Sequence, residues 1–570
     1  PVVFKKGIIG RFFLQFGVTL CLAVLLSYVE AVTLAPARCA QFLKTSREGR
    51  SRIGIAVDRG FRRLAVTYSS ILKRSLRRPG LILILGAVLF AVAIVILKFL
   101  PGEFVPSQDQ SRIVVRMQTA VGSDITETDK LVQRAEAVAR RHPEITQIYS
   151  FIGGMGGGGV NQGNMFLNLV PPRERKMSQA AFSGILRREL NSIPGLRASI
   201  QDLSQQGFTA QRGFPVEFSV RGSDWGELVS LSQKIMAQVA ASGLVVDLDT
   251  DYQLGMPELR ITPDRAMAAD VGVSMDEVAT TLNALVGGVR VGKYSAGSRR
   301  MDVRLKLLSA QRSRPEDISR LRVRARSGEL VPLSSLVTYA EQPALQAITR
   351  RDRERAITVF ANVAPGHAQA EALKYIESLS RDLPVGNRVV LGGASVAFRE
   401  SMSSLIFALF LGVTIAYMIL ASQFNSFKDP VTIITILPLS IAGAAIALLV
   451  TRQSLNIFSM IGILLLVGIV KKNSIILVDY ANVFKAQGLG AREAMEKAGP
   501  IRLRPILMTA TATLMAAIPP SLGIGPGSEI RRPMAIAVIG GLVLSTFLSL
   551  VVVPAFYIVA DRMAGKRKKT

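Results

Sequence analysis

The stretch GIVKKNSIILVDY, Gly468 to Tyr480, sets Lys471, Lys472, Asn473 and Asp479 inside an apolar run long enough to cross a bilayer. A charge at mid-membrane costs about 2.5 to 3.5 kcal/mol on insertion scales, and such residues usually face a bundle interior and mark an ion path. On a helix Lys472 and Asp479 stand seven residues apart and share a face, while Lys471 points about 100° away. The chemistry this spacing suggests is an ion path through the membrane, with Lys472, Asn473 and Asp479 as candidates. A plainer reading has the lysines reaching toward headgroups, and Asp479, like Glu30, serving as a satisfied interface charge. The next apolar run carries Thr509, Thr511 and Thr513, with Arg502 at its entrance. Threonine hydroxyls in a bundle either relay protons or bond their own backbone, and for Thr509 both readings stand. No carboxylate lies deep in any apolar run, so a counter-ion for Lys472 has to come from elsewhere.

A second stretch, FIGGMGGGGVNQGN from Phe151 to Asn164, formally matches G-x-G-x-x-G. No helix opens after it, which argues against a dinucleotide site. Gly153, Gly154 and their neighbours read as a hinge between two strands. Phe151, Met155 and Phe166 would put adaptable apolar groups on a moving loop, as a promiscuous substrate cleft requires. The competing reading is a surface linker. The chain contains only two His and two Cys, and no H-E-x-x-H, G-x-S-x-G or Walker motif. No metal site, cofactor or enzymatic centre is expected.

Seven apolar runs must position these groups, roughly 8–36, 80–100, 402–422, 428–451, 455–484, 504–523 and 534–560. Composition agrees, with 49% hydrophobic residues and a mean hydropathy of +0.35. The net charge of +28 would suit a nucleic-acid binder, but its location argues otherwise. Residues 101–401 hold 37 Lys and Arg against 32 Asp and Glu, a net of +5, which leaves +23 for the membrane-associated parts. Basic loops beside spans mark the cytoplasmic side. The basic 37–79 segment and the 561–570 tail are therefore expected inside, and the long polar region outside.

That polar region reads as two β-α-β-β-α-β units of the ferredoxin-like, split βαβ type. The first covers 101–212. The second is interrupted, at 213–262 and 347–395, by an insertion at 263–346. Cys21 and Cys39 lie outside this region, so no disulfide framework stabilises it. LSYVEAVTLAPA (Leu26–Ala37) echoes LSTFLSLVVVPA (Leu544–Ala555), a pattern that internal duplication in transporters would produce. On that reading residues 1–36 end one repeat, and the sequence is the carboxyl-terminal half of a longer chain.

Taken together, GIVKKNSIILVDYA, RLRPILMTA (Arg502–Ala510), PGEFVPSQDQ (Pro101–Gln110) and VTLAPARCA (Val32–Ala40) resemble the resistance-nodulation-division (RND) proton-driven efflux pumps, most nearly the hydrophobe/amphiphile multidrug branch. The resemblance implies an α-helical membrane bundle with five helices in 396–560, plus an α+β periplasmic porter domain. It implies an inner-membrane homotrimer that works with a periplasmic adaptor and an outer-membrane channel, and that draws on the proton gradient and no cofactor. The cargo would be hydrophobic small molecules, with membrane lipids as surroundings and no nucleic acid. It makes Lys472 the relay lysine, Thr509 the relay threonine and Arg502 the arginine near the cytoplasmic proton path. It likens Phe151–Asn164 to the switch loop, with Phe166 lining the distal pocket, and the insertion to the docking funnel. The family's adjacent aspartates are absent here, and Lys472 would balance them. Export of metal ions, with Met155 and Met165 as a methionine ladder, or of lipids is the nearest rival; a scaffold or membrane-bound enzyme is more remote.

Overall fold

A computed structural model of the chain describes residues 7–42, 52–153, 159–202, 213–345, 348–525 and 527–567. The chain divides into two units, one formed by residues 119–127 and 252–349, the other by the remainder.

The first α+β region holds β1 (Arg112–Gln118), α5 (Ile125–Ala139), β2 (Ile145–Ile152), β3 (Gln162–Leu169), α6 (Gln179–Asn191) and β4 (Arg197–Asp202). The strands form an antiparallel sheet ordered β2-β3-β1-β4, the arrangement of a split βαβ unit. Period-two alternation drives it. Met165, Leu167 and Leu169 of β3 join Ile113, Val115 and Met117 of β1 on one face, against Leu131 and Val132 of α5 and Phe182, Leu186 and Leu190 of α6. Ser178 caps α6 by accepting from the Ala181 amide.

The second sheet repeats the plan with β5 (Val216–Gly222), α7 (Trp225–Ala241), β6 (Val245–Thr250), β13 (Arg350–Arg351), β14 (Glu354–Val363), α11 (Gln369–Leu379) and β15 (Arg388–Leu391). Its order is β13-β14-β5-β15, with β6 also on β14. A polar clamp joins the two sheets. Arg187 Nε donates to both Asp247 oxygens at 2.8 and 2.9 Å, and Asn362 Nδ2 reaches the Ile200 carbonyl at 2.6 Å and Asp247 at 2.8 Å.

The smaller unit contains β7 (Leu254–Pro263), α8 (Arg265–Asp270), α9 (Met275–Leu282), β8 (Val289–Ala296), β9 (Arg299–Leu305), α10 (Glu316–Ser319), β10 (Arg322–Arg324), β11 (Leu330–Pro332) and β12 (Val337–Leu345). Val278, Val323, Leu333 and Leu336 build its own core. The β8–β9 hairpin is exposed along its full length.

Among the described residues seven helical spans are long and apolar enough to cross a membrane: 17–42, 79–99, 393–424, 428–450, 457–486, 491–521 and 528–563. They comprise α1 (Gly7–Val32) with α2 (Leu34–Phe42), α4 (Pro79–Phe99), α12 (Gly393–Phe424), α13 (Lys428–Ile434) with α14 (Ile436–Val450), α15 (Ile457–Ile469) with α16 (Lys471–Ala486), α17 (Ala491–Ser521) and α18 (Ser528–Arg567). The first run continues past Pro36, where it was expected to stop. Pro36 falls in the first turn of α2, where its missing N–H has no helical partner to lose.

Close backbone approach organises the bundle around α18. A Cβ on Gly443 of α14 would lie 2.4 Å from the Gly540 carbonyl, and one on Gly540 would lie 2.2 Å from the Ala447 Cβ. Small residues at such crossings let helices pack in the absence of a hydrophobic drive between them. The basic segment forms the amphipathic helix α3 (Arg52–Ser75). Its buried Tyr68 and Leu72, with Leu76 just after it, join the bundle core, and the Tyr68 hydroxyl donates to the Leu550 carbonyl at 2.8 Å. Asp58 pairs with Arg504 of α17 at 3.2 Å.

Candidate functional site

α16 has two sharply different faces. Asn473, Ser474, Leu477, Val478 and Ala481 are buried against the bundle. Lys472, Asp479 and Val483, with Gly468 of α15 in line with them at steps of four, seven and four residues, are exposed as one stripe. Lys472 makes no hydrogen bond or ion pair among the described residues, and neither does Asp479. The other residue of the lysine pair, Lys471, is half-buried. The ammonium of Lys472 therefore stands on a face that the helices of this chain leave uncovered.

α17 meets α16 through Arg502, whose guanidinium lies 4.1 Å from the Tyr480 ring centroid. Its Nε is buried without a hydrogen-bond partner among the described residues. Thr509 takes the second of the two readings left open by the sequence: its hydroxyl donates to the Ile506 carbonyl at 3.1 Å, and Thr513 turns back to the Thr509 carbonyl at 3.0 Å. Pro505, within the same helix, removes one amide from the backbone ladder just ahead of Thr509. Arg502 and the α16 ring are thus brought together, whereas Lys472 and Thr509 share no direct bond. Farther along, toward the α3 end, charges find partners. Asn482 donates to Asp429 at 3.2 Å and accepts from Tyr557 at 2.7 Å, and Lys485 pairs with Asp561.

The other predicted group lies on the first sheet. Phe151 of β2 and Phe166 of β3 stack with centroids 6.1 Å apart. Tyr149, which sequence reasoning passed over, stands directly across from Phe166 in the register and 6.0 Å from Phe151. The three rings occupy the face opposite α5 and α6. The pattern Tyr-Ser-Phe at 149–151 signals a shared face, but only the β2–β3 register reveals the third member. Gly153 has φ +93° and closes the hairpin by donating to the Gln162 carbonyl at 2.7 Å. Gly154 and Met155 lie outside the described residues. Met165 points the other way, fully buried in the sheet–helix core. Strand alternation therefore removes it from the methionine ladder considered above.

A third set of residues, also missed, links bundle and sheets. The PGEFVPSQDQ segment runs beside the α14–α15 turn: Leu455 N donates to the Pro101 carbonyl at 2.8 Å, and Glu103 N donates to the Leu455 carbonyl at 3.2 Å. Ser454 donates to the Glu103 carboxyl group, and burial pushes that group above the usual carboxylate range, with the serine bond opposing the shift. Asn456 then caps α15 through the Phe458 and Ser459 amides. On the sheet side Gln369 is buried between two partners, accepting from Phe104 N at 2.8 Å and donating to the Pro215 carbonyl at 2.6 Å. A single hydrogen-bonded strap thus runs from α4 and the N-terminus of α15 to the second sheet.

With this geometry established, comparison with known proteins adds a family and a fold. The sequence model of the AcrB/AcrD/AcrF family matches residues 1–561. Among solved structures, two crystal forms of a heavy metal efflux pump match with TM-scores of 0.80 and 0.79, each at 23% identity. Each match covers 88% of this chain and 52% of the pump. The chain therefore spans about half the length of these pumps, and at this identity the likeness is one of fold.

Proposed function

The chain belongs to the AcrB/AcrD/AcrF family of RND transporters, and from that premise we propose that it acts within a proton-driven exporter of hydrophobic or amphiphilic compounds. The observation that carries this reading is Lys472, an ammonium within a span, on an uncovered stripe and without a partner among the described residues. Its counter-ion on this account is the family's aspartate pair. Protonation of that pair would change the charge facing Lys472 and bias the packing of α16 against α17. Asn473 and Asp479 flank the relay, Arg502 orients its α3 end through Tyr480, and Thr509 stands beside it with its hydroxyl turned to its own helix.

The 101–104 strap supplies a mechanical route from the bundle to the sheets. Tyr149, Phe151 and Phe166 supply an aromatic surface for cargo, with Gly153 at the loop hinge. The sheets lie on the periplasmic side of the inner membrane, opposite the basic α3. A homotrimer working with an adaptor and an outer-membrane channel completes the arrangement that the family implies.

The name carried by the structural neighbours raises metal export as a second reading. The aromatic face favours hydrophobic cargo, and the burial of Met165 weakens the metal path. The test is transport by the intact protein in proteoliposomes under an imposed proton gradient. Gradient-dependent movement of a lipophilic cationic dye is the expected result. Transport of copper(I) or zinc with no movement of dye would replace this reading by the metal one.

A further inference from the structure

Where the strap meets the bundle there is a cleft of about 450 Å³, lined by Glu103, His367, Arg452, Ser454, Glu529 and Arg532 among others. Its size falls within the range of small-molecule sites, roughly 300 to 1,000 Å³. Its polar groups are unevenly satisfied. Glu103 is engaged by Ser454, and His367 by Glu371 at 3.2 Å. Arg452 and Arg532 have no ion pair among the described residues. Glu529 has one carboxylate oxygen buried without a hydrogen bond among the described residues. Two exposed guanidiniums and one buried acceptor, unpaired among the described residues, therefore share a single cleft.

The surroundings identify the source of a matching ligand. Arg452 follows the end of α14, Pro101 follows the end of α4, and Glu529 begins α18, so the cleft lies at the level where spans end. Phe99 and Val450, each two residues before a lining residue, Pro101 and Arg452, are exposed at 77% and 75%. A ligand with a charged head and apolar tails fits such a boundary. A phosphate alone would leave Glu529 unanswered, whereas a head bearing a phosphate and a hydrogen-bonding ammonium answers both kinds of group.

We propose that this cleft is a binding site for a phospholipid of the ethanolamine class. The phosphate sits between Arg452 and Arg532, the ammonium donates to Glu529, and the acyl chains lie along the Phe99 and Val450 surfaces. A quaternary choline head carries no N–H for Glu529, so the site discriminates between the two zwitterionic lipids. The proposal rests on the membrane orientation given above but not on what is exported.

The test is native mass spectrometry of the intact transporter in detergent with defined lipids. Phosphatidylethanolamine should be retained at one molecule per chain in preference to phosphatidylcholine and phosphatidylglycerol by about tenfold. The Arg452→Gln/Arg532→Gln protein should lose this retention, and the near-isosteric Glu529→Gln, which keeps an acceptor but loses the charge, should weaken the ethanolamine-over-choline preference while still holding phospholipid. Equal retention of the three lipids by the unaltered protein, or an unchanged preference in Glu529→Gln, overturns the proposal. Displacement by soluble glycerophosphoethanolamine at a concentration equal to that of the lipid overturns the lipid source and assigns the cleft to a soluble zwitterion. Since binding is read without a proton gradient, failed transport and failed lipid binding are separate results.

Discussion

Two regions of the larger unit treat polar groups in opposite ways. At the strap, Glu103, Ser454, Asn456 and Gln369 form a chain of bonds in which each side chain named has a partner from another segment or its own helix end. On α16, Lys472 and Asp479 point from an apolar helix without any partner among the described residues. The first is the signature of a joint that must stay together. On the reading proposed above the second is a face that another helix completes, because a charge left alone in a span costs more than its side chain gains by packing. The charged residues at the α3 end of the bundle, Asp58 with Arg504 and Lys485 with Asp561, side with the strap. Lack of a partner is therefore not a habit of the charges at that end of the bundle.

The sharpest way to disturb the packed side is Gly540→Leu. The new side chain meets Ala447 and the Gly443 backbone, neither of which can swing aside. The expected loss is at the top of the overpacking range, about 3 kcal/mol or more, seen as a fall in Tm and in folded yield. Unchanged stability would mean that α14 and α18 are not in close contact. Next comes Gln369→Leu, which leaves the Phe104 amide and the Pro215 carbonyl without their partner, at about 1 to 3 kcal/mol for each group. Hydrogen exchange should quicken at Phe104 while the amides of α18 keep their protection. If protection at Phe104 persists, the strap is held by something other than Gln369.

A smaller effect is expected at Glu103. Its folded pKa is raised from 4.5, so its contribution to stability is fully present below about 4.5 and is lost as pH rises through the folded value. Glu103→Gln keeps an acceptor for Ser454 and removes the titration. The Tm of the unaltered protein should therefore fall across that window more steeply than that of the variant. Parallel curves would show that Glu103 does not govern the joint.

Much of this arrangement was legible in the sequence. Period-two runs such as RIVVRMQ in the first and VEFSVRG in the second announced both ferredoxin-like units, and the apolar runs announced seven spans, because each pattern needs only local spacing. The side assignment of Lys472 and Asp479 followed from helical periodicity. What stayed hidden depends on register or on distant contact. Met165 could be assigned to the core only once β3 was paired with β1 and backed by α5 and α6. Tyr149 joined the aromatic group only through its position across from Phe166. Thr509 could bond its own helix or a neighbour at equal spacing, and the choice is made by packing. Gln369 links residues 104 and 215, a connection no local motif reports.

The central claim is that Lys472 acts by charge on an uncovered face and does little to hold the bundle together. The most direct measurement compares the intact transporter with its Lys472→Met variant in proteoliposomes, following dye export and proton counterflow alongside Tm. The account predicts a Tm within about 1 kcal/mol of equivalent stability together with loss of both export and proton flux. Undiminished proton-coupled export by Lys472→Met would contradict it.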